Sequence, residues 1–245
     1  MQRIIAGRKP VMEALRAGTD IEKIVFLLGI QGKIMGDIKS LAEQRGVQVM
    51  EAGKQQFREL ANDVTTQGVV AVVPVRKYSD LDDILAVATD RNEKAFVLVL
   101  DEIEDPHNLG ALVRTAECTG VHGVIIPKHH AASVTSSVVK ASAGATEYVA
   151  MAEVTNVVGA LERLKEEGFW VVGLDAKGEK LYTQVDYTTP IALVVGNEGR
   201  GIRRLVRENC DHLVKIPLYG KLESLNASVA GALVMYEVVK QRRAG

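Results

Sequence analysis

Residues 191–202 read IALVVGNEGRGI, an unbroken apolar run that passes directly into a loop containing three glycines. An apolar run without polar alternation is typical of a strand that is buried on both faces of a sheet. Similar runs, separated by helix-like segments, recur in the second part of the chain at 95–101, 121–126, 169–174 and 212–216. This pattern predicts an α/β fold with a parallel sheet, whose ligands bind at the carboxyl ends of the strands.

The first part of the chain alternates helical and strand patterns in a compact α/β unit that ends at Pro74. Its predicted helices and strands lie, in order, at 11–18, 21–29, 34–46, 47–52, 55–62 and 68–74. The stretch 75–93 is rich in charged residues and contains one short amphipathic helix, which is typical of a connection between domains. We therefore predict one domain over 1–74, a linker over 75–93 and a second domain over 94–245.

The composition is that of a folded protein with balanced charge. Of the 245 residues, 47% are hydrophobic and 25% are charged. The numbers of basic and acidic residues, 30 and 31, nearly balance, so a polyanion could bind only at a local cluster of basic residues. The apolar runs are far shorter than the roughly 20 residues of a membrane helix. The opening MQRIIAGRKP lacks the apolar core of a signal peptide, so we expect a cytoplasmic protein without a membrane partner.

The chain has two cysteines, Cys118 and Cys210, which form no CxxC pair. No histidine lies near them at the spacing of a metal site. We therefore expect two buried thiols, no disulfide and no metal.

Three polar loops follow apolar runs, and the first, DEIEDPHNLGALVRTAE at 101–117, leads into a helical pattern. Asn108 is suited to cap this helix, because its side chain can accept a hydrogen bond from a free backbone N–H. Arg114 is a cation in an otherwise apolar stretch, which requires either a bound anion or a solvent-exposed face. The loop sequence leaves both explanations of Arg114 open.

The second loop, GNEGRGI at 196–202, matches neither of the common phosphate-binding loops. It lacks the GxGxxG spacing of dinucleotide-binding proteins and the GxxxxGK spacing of P-loops, which argues against a nicotinamide-dependent dehydrogenase. Its glycines still allow the backbone to approach a ligand closely, with Glu198 and Arg200 available for polar contacts. A plain turn is the alternative interpretation.

The third loop lies in IPLYGKLESLNASVAGAL at 216–233, before a C-terminal helix that is basic at its end. Ser224 or Asn226 can cap this helix, and the small residues that follow permit close packing in a core or a dimer interface. A packed, capped helix does not by itself explain three polar residues within 224–228.

The three loops together resemble the three motifs of the SpoU (TrmH) family of RNA ribose 2′-O-methyltransferases, within the SPOUT superfamily. The matching stretches are NLGALVRTA at 108–116, VVGNEGRGI at 194–202 and IPLYGKLESLNASVAGAL at 216–233. The N-terminal part, with IIAGRKPVMEAL at 4–15 and TTQGVVAVV at 65–73, is similar to the ribosomal-protein (L30e-like) substrate-binding domain of one branch of the family. That branch methylates a guanosine of large-subunit (23S) ribosomal RNA, and the resemblance covers nearly the whole chain.

The resemblance implies a deep trefoil knot in the C-terminal domain, S-adenosylmethionine bound in the knot, and an active site completed across a homodimer. It implies cofactor contacts from the backbone around Gly196, Ile216 and Leu225. The catalytic residues that it implies are Arg114, Asn108, Glu198, Ser224 and Asn226. Basic residues that could contact RNA phosphates are Arg8, Lys9 and Arg200.

The implied arginine raises a chemical question, because a guanidinium stays protonated in proteins and is a poor base. We expect Arg114 to bind a phosphate or to stabilise the developing alkoxide, while Asn108 holds its loop, Glu198 orients donors, and Ser224 and Asn226 position ribose or cofactor. His107 has a more suitable pKa for a base, but the family motif leaves its position open.

Two positions depart from the family pattern. Thr66 stands where this branch usually has a histidine before QG, and Ala227 stands where valine is common. If the histidine contacts RNA in that branch, substrate binding differs in this protein.

The leading interpretation is a ribosomal-RNA ribose methyltransferase. A transfer-RNA ribose methyltransferase and a non-catalytic RNA-binding ribosome-assembly factor are the alternative functions.

Overall fold

The computed structural model describes residues 2–61, 66–74 and 77–243, which fall into two compact units. One unit is Met1–Lys77 with Val134–Tyr148, and the other is Tyr78–Ser133 with Val149–Gly245. This division differs from the predicted 1–74, 75–93 and 94–245 in two ways. Residues 134–148 group with the first unit, where Val139 is fully buried in the core. The helix expected in the linker belongs to the second unit, where Ile84 is fully buried.

The first unit contains a four-stranded sheet in the order β1-β4-β2-β3. Strand β4 is antiparallel to both neighbours, and β2 and β3 are parallel. Its strands are β1 (Gln2–Ala6), β2 (Lys23–Leu27), β3 (Gln48–Ala52) and β4 (Val69–Pro74). Its α-helices are α1 (Arg8–Arg16), α2 (Lys33–Gln44), α3 (Lys54–Ala61) and α6 (Ser136–Ala141), with a 3-10 turn at Ala145–Glu147. Strand β1 was not predicted, because a five-residue strand is defined by its pairing with β4 rather than by a local pattern.

The second unit contains a seven-stranded sheet in the order β7-β6-β5-β10-β8-β11-β9, and every pairing in it is parallel. The predicted parallel α/β fold is therefore confirmed. Its strands are β5 (Phe96–Asp101), β6 (Gly123–Pro127), β7 (Ala150–Val154), β8 (Trp170–Leu174), β9 (Lys180–Leu181), β10 (Ile191–Gly196) and β11 (His212–Lys215). Its α-helices are α4 (Leu81–Asp90), α5 (Pro106–Cys118), α7 (Val157–Glu166), α8 (Arg204–Glu208) and α9 (Ala227–Arg243).

The central strands of this sheet are buried along their whole length, as their unbroken apolar sequences predict. All residues of β5 and of β10 are buried, and β10 lies between β5 and β8. In this register Gly196 is opposite Asp101, so the loops after these two strands begin side by side. The implied knot stays a prediction from the resemblance.

Helices α5 and α9 pack closely against each other. A Cβ atom at Gly231 would lie 2.6 Å from the Leu112 side chain, so a larger residue there would force that side chain to move. Across the part of the chain that the structure describes, no helix combines the length and the apolarity that a bilayer crossing requires.

The two thiols differ in environment. Cys118 is exposed on α5, so the expectation that it is buried was wrong: its position faces away from the sheet. Cys210 is half-buried, and desolvation raises its pKa to about 12. A thiol with so high a pKa is protonated and unreactive at neutral pH.

An ion pair holds the inserted segment 134–148 to the first strand of the first unit. Arg3 donates from both terminal nitrogens to the Glu147 carboxylate at 3.0 Å, and only 13% and 3% of the two side chains are exposed. Thr19 and Thr146 also donate to Glu147. The carboxylate is therefore saturated with donors, the condition under which a buried charge is tolerated.

We expect Glu147→Gln to lower the free energy of unfolding of the first unit by about 3 kcal/mol, because Arg3 would keep a buried charge without its counter-ion. Hydrogen exchange of the β1 and β4 amides in increasing urea measures this change. Arg16→Gln is the control: it breaks an exposed pair with Glu13 and should cost less than about 1 kcal/mol. Equal effects of the two substitutions would contradict a stabilising role of the buried pair.

Candidate functional site

A cleft of about 530 Å³ opens in the second unit beside the carboxyl ends of β8, β10 and β11. This volume is within the usual range of small-molecule sites. Its apolar lining comprises Leu174, Ala176, Val195, Ile216, Leu218, Leu225, Ala227 and Ala230. Its charged and hydroxyl-bearing lining comprises Asp175, Lys177, Glu198, Arg200, Arg207, Glu223 and Ser224. The three residues predicted to contact a cofactor, Gly196, Ile216 and Leu225, all line this cleft.

The glycine loop after β10 folds back on itself. The backbone groups of Asn197 and Gly201 exchange hydrogen bonds of 2.8 and 3.0 Å. A Cβ atom at Gly196 would lie 2.5 Å from the Gly201 carbonyl oxygen and from the Ile202 nitrogen. Glycine at 196 is thus required by the loop's own backbone, and not only by a ligand as the sequence suggested.

Asn197 fixes the shape of this loop with its side chain. Its Oδ1 accepts hydrogen bonds from the backbone N–H groups of Gly199 and Arg200, at 2.9 and 3.2 Å. Its Nδ2 donates to the Glu102 carbonyl, at 3.0 Å, in the loop after β5. The glycine loop is therefore tied to its neighbour by a side chain that sequence analysis did not single out.

Asp101 anchors the far end of the same loop. Its side chain is fully buried and accepts hydrogen bonds from the Arg203 backbone N–H and Nε, both at 2.8 Å. The second guanidinium nitrogen lies 2.6 Å from the carboxylate, and the side-chain hydrogen bond to Asp101 raises the pKa of Arg203. Sequence analysis missed this pair. An acidic residue at the carboxyl end of an apolar strand is the signal that could have found it.

Asn108, Glu198 and Asn226 meet at the edge of the cleft, although they come from three distant segments. Asn108 Nδ2 donates to Glu198 Oε2 at 3.2 Å, and Asn226 Nδ2 donates to the same oxygen at 3.3 Å. Asn226 Nδ2 also donates to Asn108 Oδ1 at 2.8 Å. The structure therefore brings together three of the five predicted catalytic residues in one hydrogen-bonded group.

The orientation of Asn226 follows from its position before α9. Its Oδ1 accepts hydrogen bonds from the backbone N–H groups of Ser228 and Val229, at 2.9 and 3.3 Å, so it caps the helix as predicted. Because the oxygen faces backbone donors, the Nδ2 group must point toward Glu198. Asn108 does not cap α5, as the sequence suggested. Asp105 is the cap, accepting from His107 N, and Asn108 lies buried in the first turn.

The other two predicted catalytic residues are not part of this group. Ser224 lines the cleft but is exposed. Arg114 is exposed on α5, about 9 Å along the helix from Asn108, and does not line the cleft. Within the described ranges, Arg114 makes no hydrogen bond or ion pair, which leaves its guanidinium available to solvent or to another molecule.

The predicted RNA contacts lie in both units. Arg200 is at the rim of the cleft, 80% exposed and 3.8 Å from Glu102. In the first unit, Lys9 is exposed, and Arg8 Nε donates to the Gln67 carbonyl at 3.2 Å. Thr66 accepts a hydrogen bond from the Gly68 N–H, so this side chain shapes the turn next to Arg8.

Two carboxylates that line the cleft, Asp175 and Glu223, were not predicted. Asp175 follows β8, its side chain is 11% exposed, and its Oδ2 lies 3.5 Å from an Arg207 terminal nitrogen. Its other oxygen accepts from the Lys177 N–H at 2.8 Å. Apolar walls beside the Asp175 carboxylate suit a nucleoside-like ligand, since the walls can hold a base and the carboxylate can accept from hydroxyl or ammonium groups. Nowhere in the described residues do three His, Cys, Asp or Glu side chains converge as a metal site.

Comparison with known protein families identifies both units. Residues 95–236 match the SpoU rRNA Methylase family, and residues 4–79 match the family described as RNA 2'-O ribose methyltransferase substrate binding. YacO of Bacillus subtilis (strain 168), assigned to the TrmH family of tRNA/rRNA methyltransferases, is 42% identical over 238 residues. That match covers 97% of this chain and 95% of YacO.

Solved structures of similar proteins support the same relationship. The SpoU methyltransferase AviRb from Streptomyces viridochromogenes, in complex with AdoMet, superposes with a TM-score of 0.83 at 26% identity, covering 100% of this chain and 92% of AviRb. An AdoMet-bound rRNA methyltransferase from Sinorhizobium meliloti has a TM-score of 0.78 at 25% identity, covering 98% of this chain and 87% of that one. The α/β fold with an N-terminal substrate-binding domain is therefore confirmed.

We expect Gly196→Ala to destabilise the second unit by about 1–3 kcal/mol, since the added methyl would overlap backbone that cannot move without breaking the Asn197–Gly201 pairing. Gly199→Ala is the matched control in the same loop. Its Cβ would meet only Asn197 Oδ1, at 3.6 Å, and its effect should stay within about 0.5 kcal/mol. Thermal unfolding followed by Trp170 fluorescence compares the two variants. If Gly199→Ala were the more destabilising, the steric account of Gly196 would be wrong.

Proposed function

The chain belongs to the SpoU (TrmH) family of RNA methyltransferases, and on that basis we propose that it transfers a methyl group from S-adenosylmethionine to the ribose 2′-OH of a guanosine in 23S ribosomal RNA. The observation that carries the proposal is the hydrogen-bonded group of Asn108, Glu198 and Asn226 at the edge of the cleft. Three segments far apart in sequence converge there on a single polar site beside a cavity of nucleoside size.

The cleft is the proposed cofactor site. The backbone around Gly196, Ile216 and Leu225 would contact the cofactor, and Asp175 would accept hydrogen bonds from its hydroxyl or ammonium groups. AviRb and the Sinorhizobium enzyme bind AdoMet on the same fold, which supports this assignment. When bound, S-adenosylmethionine supplies a methyl group on a sulfonium, activated for transfer to an oxygen nucleophile.

The protein's part in the reaction is positioning and charge stabilisation. Arg114 cannot remove the hydroxyl proton, because its guanidinium is already protonated. We assign it the binding of a target phosphate or of the alkoxide that develops as the 2′-O–H bond breaks, with the proton passing to an oxygen of the substrate's phosphate. Glu198, held by Asn108 and Asn226, orients donors at the site, and Ser224 positions the ribose.

A homodimer would explain how Arg114 reaches the cleft. Arg114 lies outside the cleft of its own chain. Helix α9, which packs on α5, exposes Val229, Leu233 and Tyr236 at 49%, 40% and 55%. Their spacing places them along one side of the helix, a pattern that fits association with a second copy. The cleft of one subunit would then receive Arg114 from the other.

Ribosomal RNA is the substrate that the first unit favours. Residues 4–79 match a substrate-binding family of RNA ribose methyltransferases, and the Sinorhizobium relative that covers nearly the whole chain is an rRNA methyltransferase. Exposed Lys9, with Arg8 and Arg200, would contact phosphates. Transfer RNA is the second candidate, because the name of YacO gives both tRNA and rRNA. An assembly factor without catalysis would not need the intact Asn108, Glu198 and Asn226 group.

The test of the proposed function is a methylation assay. The purified protein is incubated with labelled S-adenosylmethionine and with separated 23S, 16S and transfer RNA, and any labelled ribose is mapped. We expect label at the 2′-O of one guanosine in 23S RNA. Label in transfer RNA alone would replace the ribosomal assignment with the second candidate. Cofactor binding without label in any of the three RNAs would favour the assembly factor.

We expect Arg114→Ala to lower kcat by about 10²–10³, the usual cost of losing a group that stabilises transition-state charge, with the Kd for cofactor unchanged. Cofactor binding is measured by calorimetry and methyl transfer by single-turnover kinetics. Arg163→Ala, which removes a half-exposed arginine from α7, should leave kcat within about twofold. A normal rate in Arg114→Ala would end its catalytic assignment.

Mixing variants tests where Arg114 acts. Arg114→Ala and Glu198→Gln are each expected to be inactive, but a mixed dimer has one site with an intact Glu198 and the partner's intact Arg114. Random re-association makes half of the dimers mixed, and each mixed dimer has one working site of its two. About a quarter of wild-type activity should therefore return. No recovery after verified subunit exchange would place Arg114 in the site of its own chain.

A further inference from the structure

The loop between β11 and α9 has two sides with different character. Leu218, Glu223, Ser224 and Leu225 line the cleft. Tyr219, in the same loop, is 95% exposed, the largest exposure among the large hydrophobic residues of the described chain. The Tyr219 ring is therefore exposed to solvent next to Leu218, which lines the proposed cofactor site.

The exposed part of this loop is a cluster rather than a single residue. Leu218 is 40% exposed and Leu222 81%, so three large hydrophobic side chains lie within five positions. Lys221 is also exposed, and neither the Tyr219 hydroxyl nor the Lys221 ammonium has a partner in the described part of the chain. Single exposed hydrophobic residues are ordinary, but a cluster with a free cation is typical of a binding surface.

The chemistry of this cluster suits single-stranded RNA. An aromatic ring can stack on a nucleobase, and a neighbouring lysine can contact the adjoining phosphate. Arg200, 80% exposed, lies in the loop that forms another part of the cleft wall. Cations and carboxylates both line the cleft. Lys221 lies two positions from Tyr219 and is the nearest cation to the ring in sequence.

We propose that Tyr219 stacks on a base of the RNA strand that carries the target ribose, and that Lys221 contacts the phosphate beside it. The inference rests on the proposed methyltransferase function, since the ribose must reach the cleft past this loop. RNA is favoured over a second copy of the chain as the occupant, because the apolar stripe of Val229, Leu233 and Tyr236 lies on α9 and not in this loop. Tyr219 is thus a substrate-binding residue to which the resemblance assigned no role.

The experiment compares Tyr219→Leu and Tyr219→Phe in the full-length protein, with an unmodified ribosomal RNA transcript as the probe. We expect Tyr219→Leu to raise the Kd and the KM for this RNA about tenfold, because the aliphatic side chain cannot stack. Tyr219→Phe keeps the ring and should stay within about twofold. The Kd for S-adenosylmethionine and kcat at saturating RNA should be unchanged in both variants.

Leu222→Ala is the matched control, since it removes exposed apolar surface from the same loop without removing a ring. It should leave RNA binding within about twofold, whereas Lys221→Gln should reduce the salt dependence of RNA binding by about one phosphate contact. Unchanged RNA affinity in Tyr219→Leu would overturn the inference. So would equal losses in Tyr219→Leu and Leu222→Ala, or a change of oligomeric state in sedimentation, which would assign the loop to an interface between copies.

The binding and methylation assays distinguish failure of the proposed function from failure of this inference. If the wild-type protein binds no RNA and transfers no methyl group, both are overturned together. If the wild-type protein methylates RNA and Tyr219→Leu binds it equally well, only the role of Tyr219 is lost.

Discussion

The buried carboxylate of Asp101 is the constraint on which the geometry of the site depends. It lies at the end of β5, beside Gly196, and is fully shielded from solvent. A carboxylate in this position is tolerated only when it is paired and hydrogen-bonded, and Arg203 supplies both the charge and the N–H donors. The glycine loop is consequently anchored at Gly196 by strand pairing and at Arg203 by the ion pair. Glu198, between these anchors, is held in place before any ligand arrives.

Asn226 both caps helix α9 and holds the polar group at the edge of the cleft. Its oxygen caps α9, and its amide nitrogen donates to Glu198 and Asn108. Each of these hydrogen bonds makes the others more favourable, because the side chain is already ordered by the rest. The polar group is therefore preorganised by secondary structure, as its proposed catalytic role would require.

In the proposed function, the site separates groups that position other side chains from groups that would contact the RNA. Asn108 and Asp101 are buried and hydrogen-bonded, whereas Arg114, Arg200 and Tyr219 are exposed. A polyanion binds through exposed cations and rings, since such contacts form by displacing water and counter-ions rather than by reordering a core. The protein can thus keep a rigid cleft while presenting a surface that accepts a large RNA.

The sequence by itself determined the fold class of the second unit, because unbroken apolar runs such as 95–100 and 191–196 require burial on both faces of a sheet. The motif resemblance singled out Asn108, Glu198 and Asn226, which do meet in space. Only the tertiary structure decided which residues hold them there. Asp101 and Arg203 are 102 positions apart, and residues 134–148 pack with a unit that precedes them in sequence. Such pairings depend on the order of strands in the sheet, and local periodicity carries no information about which distant segment will be a neighbour.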